Sequence, residues 1–168
     1  MRNVLRALDG RPARIALMTT IGVTDRKGAH DWKRRGERLV RASGLPYTIV
    51  RPGWFDYNEA LQKRLVLLQG DTRQSGTPRD GVVARGQLAA VLVHALTSPD
   101  AVNKTVELVA ESGPETDDFD RLFAGAAADD GRALDAIRDA ANMPLDAEPP
   151  AIRQALELVR DAFRSPRR

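Results

Sequence analysis

The stretch SGLPYTIVRPGWF, Ser43 to Phe55, decides the fold. Ser43-Gly44 closes a helix, and Leu45-Pro46 leads directly into an apolar run of strand length, Tyr47 to Arg51. Arg51-Pro52-Gly53 then ends the strand abruptly, because proline lacks the ladder N–H and glycine weakens a strand. In an open parallel sheet, ligands bind outside the carboxyl ends of strands, where such a turn leaves the backbone approachable. Two readings follow for Arg51-Pro52-Gly53: part of a cleft floor, or a tight turn without a ligand. Spacing does not choose between them.

Working outward, the pattern repeats. Residues 2–8 place Val4, Leu5 and Leu8 at helical spacing, and Asp9-Gly10 stops that helix. Residues 14–20, RIALMTT, form a short buried strand. Asp31 is placed to cap a helix from Trp32 to Ser43, with Trp32, Gly36, Leu39 and Val40 on one face and Gly36 allowing close approach to a sheet. Residues 59–68 predict a further helix, 69–81 a loop or a short hairpin, 87–97 an apolar helix and 105–110 a last strand. Helix–strand alternation with short links argues for an α/β fold in which strands 14–20, 46–51 and 105–110 are parallel neighbours. Helices 32–43 and 87–97 then cover the sheet. Composition shifts after Gly113-Pro114. Residues 1–113 read as one α/β unit, and 114–168 as a helical extension packed on it, with helices near 131–141 and 150–163.

A chain of 168 residues is long enough for one real core. It has no cysteine, which excludes disulfides and thiolate chemistry. No apolar run reaches membrane-spanning length, and residues 1–20 carry charges throughout, so the expectation is a cytoplasmic protein without a membrane partner. The net charge is +3, unevenly placed: Arg26, Lys27, Lys33, Arg34, Arg35, Arg38 and Arg41 crowd one segment, while 111–148 is acid-rich. A basic run raises a nucleic-acid reading, but few aromatics accompany it, and a solvated helix face is the plainer account. Asp117-Asp118 and Asp129-Asp130 lack cation-loop spacing and read as helix N-terminal charge, so no metal site is expected. His94 reads as a packed histidine, and His30 as an acid/base group near the cleft only if the cleft holds a ligand.

The runs TTIGV, WKRRGERLVRASGLPYTIVRPGWF, GVVARGQLAAVLVHAL and NKTVELV resemble the C-terminal half of an atypical short-chain dehydrogenase/reductase, of the NAD(P)H-binding, NmrA-like group. The resemblance covers about residues 2–110. It implies a partial Rossmann-like parallel sheet with flanking helices and NADP or NAD as cofactor. Thr19 and Thr20 match the strand-end position that contacts substrate or nicotinamide, and Lys33 the helix lysine at the nicotinamide ribose. Thr20 and Lys33 are the implied catalytic pair. Arg51, Pro52 and Gly53, with Trp54, match the turn lining the nicotinamide side.

The departures are specific. The family's tyrosine four residues before the lysine is Ala29 here, so the usual general acid is missing. Tyr47 and Tyr57 lie inside or after the strand. Gln87 stands where an aspartate often starts the last helix. No glycine-rich strand–turn–helix that would hold a pyrophosphate occurs in the sequence. The resemblance therefore implies a truncated oxidoreductase-like chain with weak or no activity on a small-molecule substrate. The alternatives are a non-catalytic NAD(P)-sensing module and a protein or nucleic-acid interaction module. An unpaired sheet edge would be relieved by self-association or by the C-terminal helices.

Overall fold

Three apolar runs become parallel strands. They are β1 (Ile15–Met18), β2 (Tyr47–Pro52) and β6 (Lys104–Glu111). Ile15 lies opposite Tyr47, and Arg51 opposite Glu107. The computed structural model describes residues 1–164. Its other strands are β3 (Trp54–Phe55), β4 (Arg64–Leu68) and β5 (Val82–Val83), and its helices α1 (Arg2–Leu8), α2 (Gly28–Ser43), α3 (Arg85–Ala95), α4 (Phe119–Ala124) and α5 (Pro150–Arg164). The main sheet runs β1-β2-β6-β4, and β3 and β5 form a short parallel pair beside it.

Alternation along the strands sorts the layers. Val50, Val106 and Leu108 face α3 and pack with Val83, Leu88, Val91, Ala95 and Phe123. Tyr47 and Ile49 face α2, against Val40. Leu5, Leu45 and Val159 tie α1 and α5 to the end of α2. Both central strands, β2 and β6, are buried along nearly their whole length, whereas β1 is only half-buried and ends on exposed Met18.

Several local expectations fail for identifiable reasons. Residues 59–68 are not a helix: Arg64–Leu68 is β4, antiparallel to β6, with Leu67 opposite Leu108. Helical propensity there yields to the ladder and apolar contacts of the β6 edge. Helix α2 begins at Gly28, not Trp32, and Asp31 lies in its first turn, paired with Arg26. Trp32 is exposed, and Gly36 looks toward Met1 rather than the sheet. The helix expected near 131–141 is absent because its backbone is engaged elsewhere. The Ile137 N–H donates to the Asp129 carboxylate at 2.9 Å. The carbonyls of Leu134, Ala140 and Met143 accept from Arg41, Arg34 and Arg38. Residues 125–149 thus form an irregular strap laid over α2, followed by α5, which packs on α1 and α2.

Gly53 has a structural reason to be glycine. A Cβ there would lie 2.5 Å from the Gly81 carbonyl oxygen, so the close approach it permits is to the backbone entering β5. The Trp54 N–H donates to that same carbonyl at 2.9 Å.

Candidate functional site

The carboxyl ends of β1 and β2 lie together. The Thr19 N–H donates to the Val50 carbonyl at 2.9 Å, and the Ile21 N–H to that of Pro52 at 3.1 Å. Beyond them opens a cavity of about 390 Å³. Thr19, Thr20, Lys33, Pro52, Gly53 and Trp54 all line it, joined by Met18, Phe55, His30 and Gln74. The lining mixes apolar and aromatic side chains with hydroxyl, ammonium and imidazole groups, a mixture suited to orienting a small polar group within an apolar site. Lys33 is exposed at the rim and forms no ion pair among the described residues. His30 sits one turn before Lys33 on α2, and its buried Nδ1 has no hydrogen-bond partner among the described residues.

Thr19 is tied back. Its hydroxyl donates to Glu37 Oε1 at 2.6 Å. Burial alone would raise the Glu37 carboxyl, but the Arg51 and Arg41 charges and the Thr19 hydrogen bond hold it below its usual range. As an ionised carboxylate Glu37 can only accept, which fixes the Thr19 hydroxyl as the donor. The loop 19–27 is shaped by Asp71, whose carboxylate accepts from the Gly22 N–H at 2.6 Å and the Thr24 N–H at 2.7 Å. Asp80 shapes the facing loop. Burial would raise its carboxyl, but N–H groups of Ser75, Gly76 and Thr77 hold it low.

Arg51 departs from the predicted site. Its side chain is fully buried and faces away from the cavity lining, into an ionic cluster under α2. It donates to Glu37 at 2.7 Å, to Asp139 at 2.7 and 2.8 Å, and to Glu107 at 3.3 Å. Burial works against its charge, yet the Glu37 and Asp139 carboxylates hold its guanidinium well above the ordinary range. The cluster continues through Arg41 to Asp129, and through Arg38 and Arg34 to Asp135. The basic run is therefore only partly a solvated face: Arg26, Lys27 and Lys33 are exposed, whereas Arg34, Arg38 and Arg41 are buried against the acid-rich segment. Asp129, read from sequence as helix N-terminal charge, accepts instead from Tyr47, Thr105 and Arg41. Asp118 does cap α4. Burial, with the Asp129 charge beside it, pushes the Tyr47 hydroxyl well up, and the ring lies at the amino end of β2, away from the cavity. His94 stacks on Phe119 at 3.9 Å.

Sequence reasoning missed Glu107 and Asp71. A signal existed for the first: with period-two alternation, Arg51 and Glu107 are charged positions inside otherwise apolar parallel strands, which demands a buried partner. Asp71, in a loop without periodicity, carried none.

The NAD(P)H-binding family profile matches residues 1–99. Sanguinarine reductase of Eschscholzia californica is 36% identical over 96 residues, 55% of this chain and 34% of the relative. The uncharacterized chloroplastic protein At2g37660 of Arabidopsis thaliana is 35% identical over 101 residues, 55% of this chain and 29% of its own length. Protein TIC 62, chloroplastic, of Pisum sativum is 35% identical over 82 residues, 48% of this chain and 15% of its own length. The chain spans about a third or less of the curated relatives it matches. No helix among the described residues is long and apolar enough to cross a membrane.

Proposed function

We propose, from the premise that this chain belongs to the NAD(P)H-binding family of atypical short-chain dehydrogenase/reductases, that its cavity is the nicotinamide and substrate end of an NAD(P)H-dependent reductase site. The supporting observation is the convergence of Thr19, Thr20, Lys33 and Pro52–Trp54 on one cavity at the carboxyl ends of parallel strands. The cofactor would supply hydride. The Lys33 ammonium would hold ribose hydroxyls, the Thr20 hydroxyl would orient a substrate oxygen, and the backbone at Gly53 would border the nicotinamide ring. Met18, Trp54 and Phe55 would exclude water from the reacting carbon.

The residues fit the nicotinamide end only. A pyrophosphate needs backbone N–H groups at a helix N-terminus, and no glycine-rich turn of that kind occurs in the sequence. On this reading, a pyrophosphate bound to these residues alone would forgo several charge-assisted hydrogen bonds of roughly 1.5–3 kcal/mol each. Ala29, where the family carries its tyrosine, favours a second reading, a non-catalytic NAD(P)-sensing module of the NmrA-like kind. Both readings give the same expectation for this chain. NADPH should bind weakly, and reduced nicotinamide mononucleotide should bind about as well, within roughly threefold. Lys33→Ala should weaken both. Fluorescence titration with the two ligands checks this; submicromolar NADPH affinity would show that the pyrophosphate is held by other residues.

A further inference from the structure

The family match stops at residue 99, and the strap at 125–149 lies outside it. Yet the strap reaches the loop that supplies part of the cavity lining. The Asn142 side-chain N–H donates to the Thr24 carbonyl at 3.0 Å. Its Oδ1 accepts from Arg34 at 2.5 Å, and its backbone carbonyl accepts from Arg26 at 2.5 Å. Arg34 itself is fully buried, fixed by Asp135 at 3.0 Å and by the Ala140 carbonyl at 2.8 Å. The exposed Asn142 side chain thus bridges the buried Arg34 of α2 and the Thr24 carbonyl of the loop. On the other side, Asp71 holds the same loop through Gly22 and Thr24. Gln74, which lines the cavity, donates to the Thr24 hydroxyl at 2.7 Å.

Residues 21–27 supply Ile21, Gly22, Asp25 and Lys27 to the cavity lining. Residues 21–24 of this loop are buried, while Arg26 and Lys27 are exposed. Its turn at Gly22–Asp25, closed by the Asp25 N–H on the Gly22 carbonyl at 3.0 Å, is clamped at Thr24 from two directions.

We propose that Asn142 is a positioning residue for the cavity: the strap, through the Asn142–Thr24 hydrogen bond, fixes the 21–27 lip in the shape that receives a ligand. The ligand arm of this inference rests on the nicotinamide reading; the conformational arm does not.

Two variants separate the contacts. Asn142→Ala removes both side-chain bonds. Asn142→Asp keeps the acceptor for Arg34 but cannot donate to the Thr24 carbonyl. Amide hydrogen exchange on the full chain should show residues 21–27 exchanging at least about tenfold faster in both variants, with β2 and β6 unchanged. Affinity for reduced nicotinamide mononucleotide should fall by about fivefold or more in both. Unchanged exchange at 21–27 in Asn142→Asp would overturn the proposal, because the effect would then run through Arg34 alone. Equal acceleration across β2 and β6 would overturn it too, as a purely global loss of stability. If the unaltered chain does not bind the mononucleotide, the nicotinamide reading falls, while exchange at 21–27 still decides the role of Asn142.

Discussion

Helix α2 carries one basic run with two fates. On the cavity side, Lys33 stands exposed without an ion pair among the described residues. On the strap side, Arg34, Arg38 and Arg41 are buried and matched by Asp135, Asp129 and Glu37. The residue types are nearly the same; the difference lies in what the rest of the chain brings to each face. The acid-bearing strap at 125–149 lies over one face and leaves the other open. A buried charge must be paired, so the strap face is a structural device. An unpaired cation beside a cavity retains its charge for a ligand.

The hardest test of the contrast is Arg51→Ala, which leaves Glu37, Asp139 and Glu107 without their shared cation. Breaking a buried pair from one side costs about 3–5 kcal/mol. Urea unfolding should show a loss of that size or a failure to fold. A loss below about 1 kcal/mol would mean that water reaches the cluster.

The next effect is a pH dependence. Burial raises the Glu107 carboxyl to about 7, with the Asp71 charge adding to the rise and Arg51 opposing it. Its ordinary value is 4.5, so between pH 4.5 and about 7 the folded chain binds the proton more tightly than the unfolded one. Stability therefore falls with rising pH across that window, by about 3 kcal/mol from this group. Glu37 and Asp135 act oppositely. Burial would raise both, but their arginines hold them low, so their contribution is present above the ordinary carboxylate range and lost as pH falls through it. The urea midpoint should peak in mildly acidic solution, and Glu107→Gln should flatten its decline toward pH 8. A midpoint rising steadily from pH 5 to 8 would contradict this.

The smallest effect belongs to the cavity face. Lys33→Ala removes an exposed side chain and should change stability by less than about 0.5 kcal/mol, even as it weakens ligand binding. A larger loss in the same urea experiment would make Lys33 a structural residue and erase the contrast.

The sequence by itself determined the α/β alternation and the three parallel strands, while Thr19, Thr20, Lys33 and Pro52–Trp54 were singled out through its resemblance to a known family. Period-two and helical patterns are local, and the strand-end turn carries its own backbone chemistry in Pro52 and Gly53. Only the tertiary structure decided the rest. It turned Arg64–Leu68 into an antiparallel strand, because β6 offered an edge. It dissolved the helix expected at 131–141, because arginines took the carbonyls that a helix would use. It drew Arg51 inward, away from the cavity its neighbours line. Each of these outcomes depends on partners tens of residues away. The energy of a buried charge or an unpaired strand edge depends on what meets it in space, which spacing along the chain does not encode.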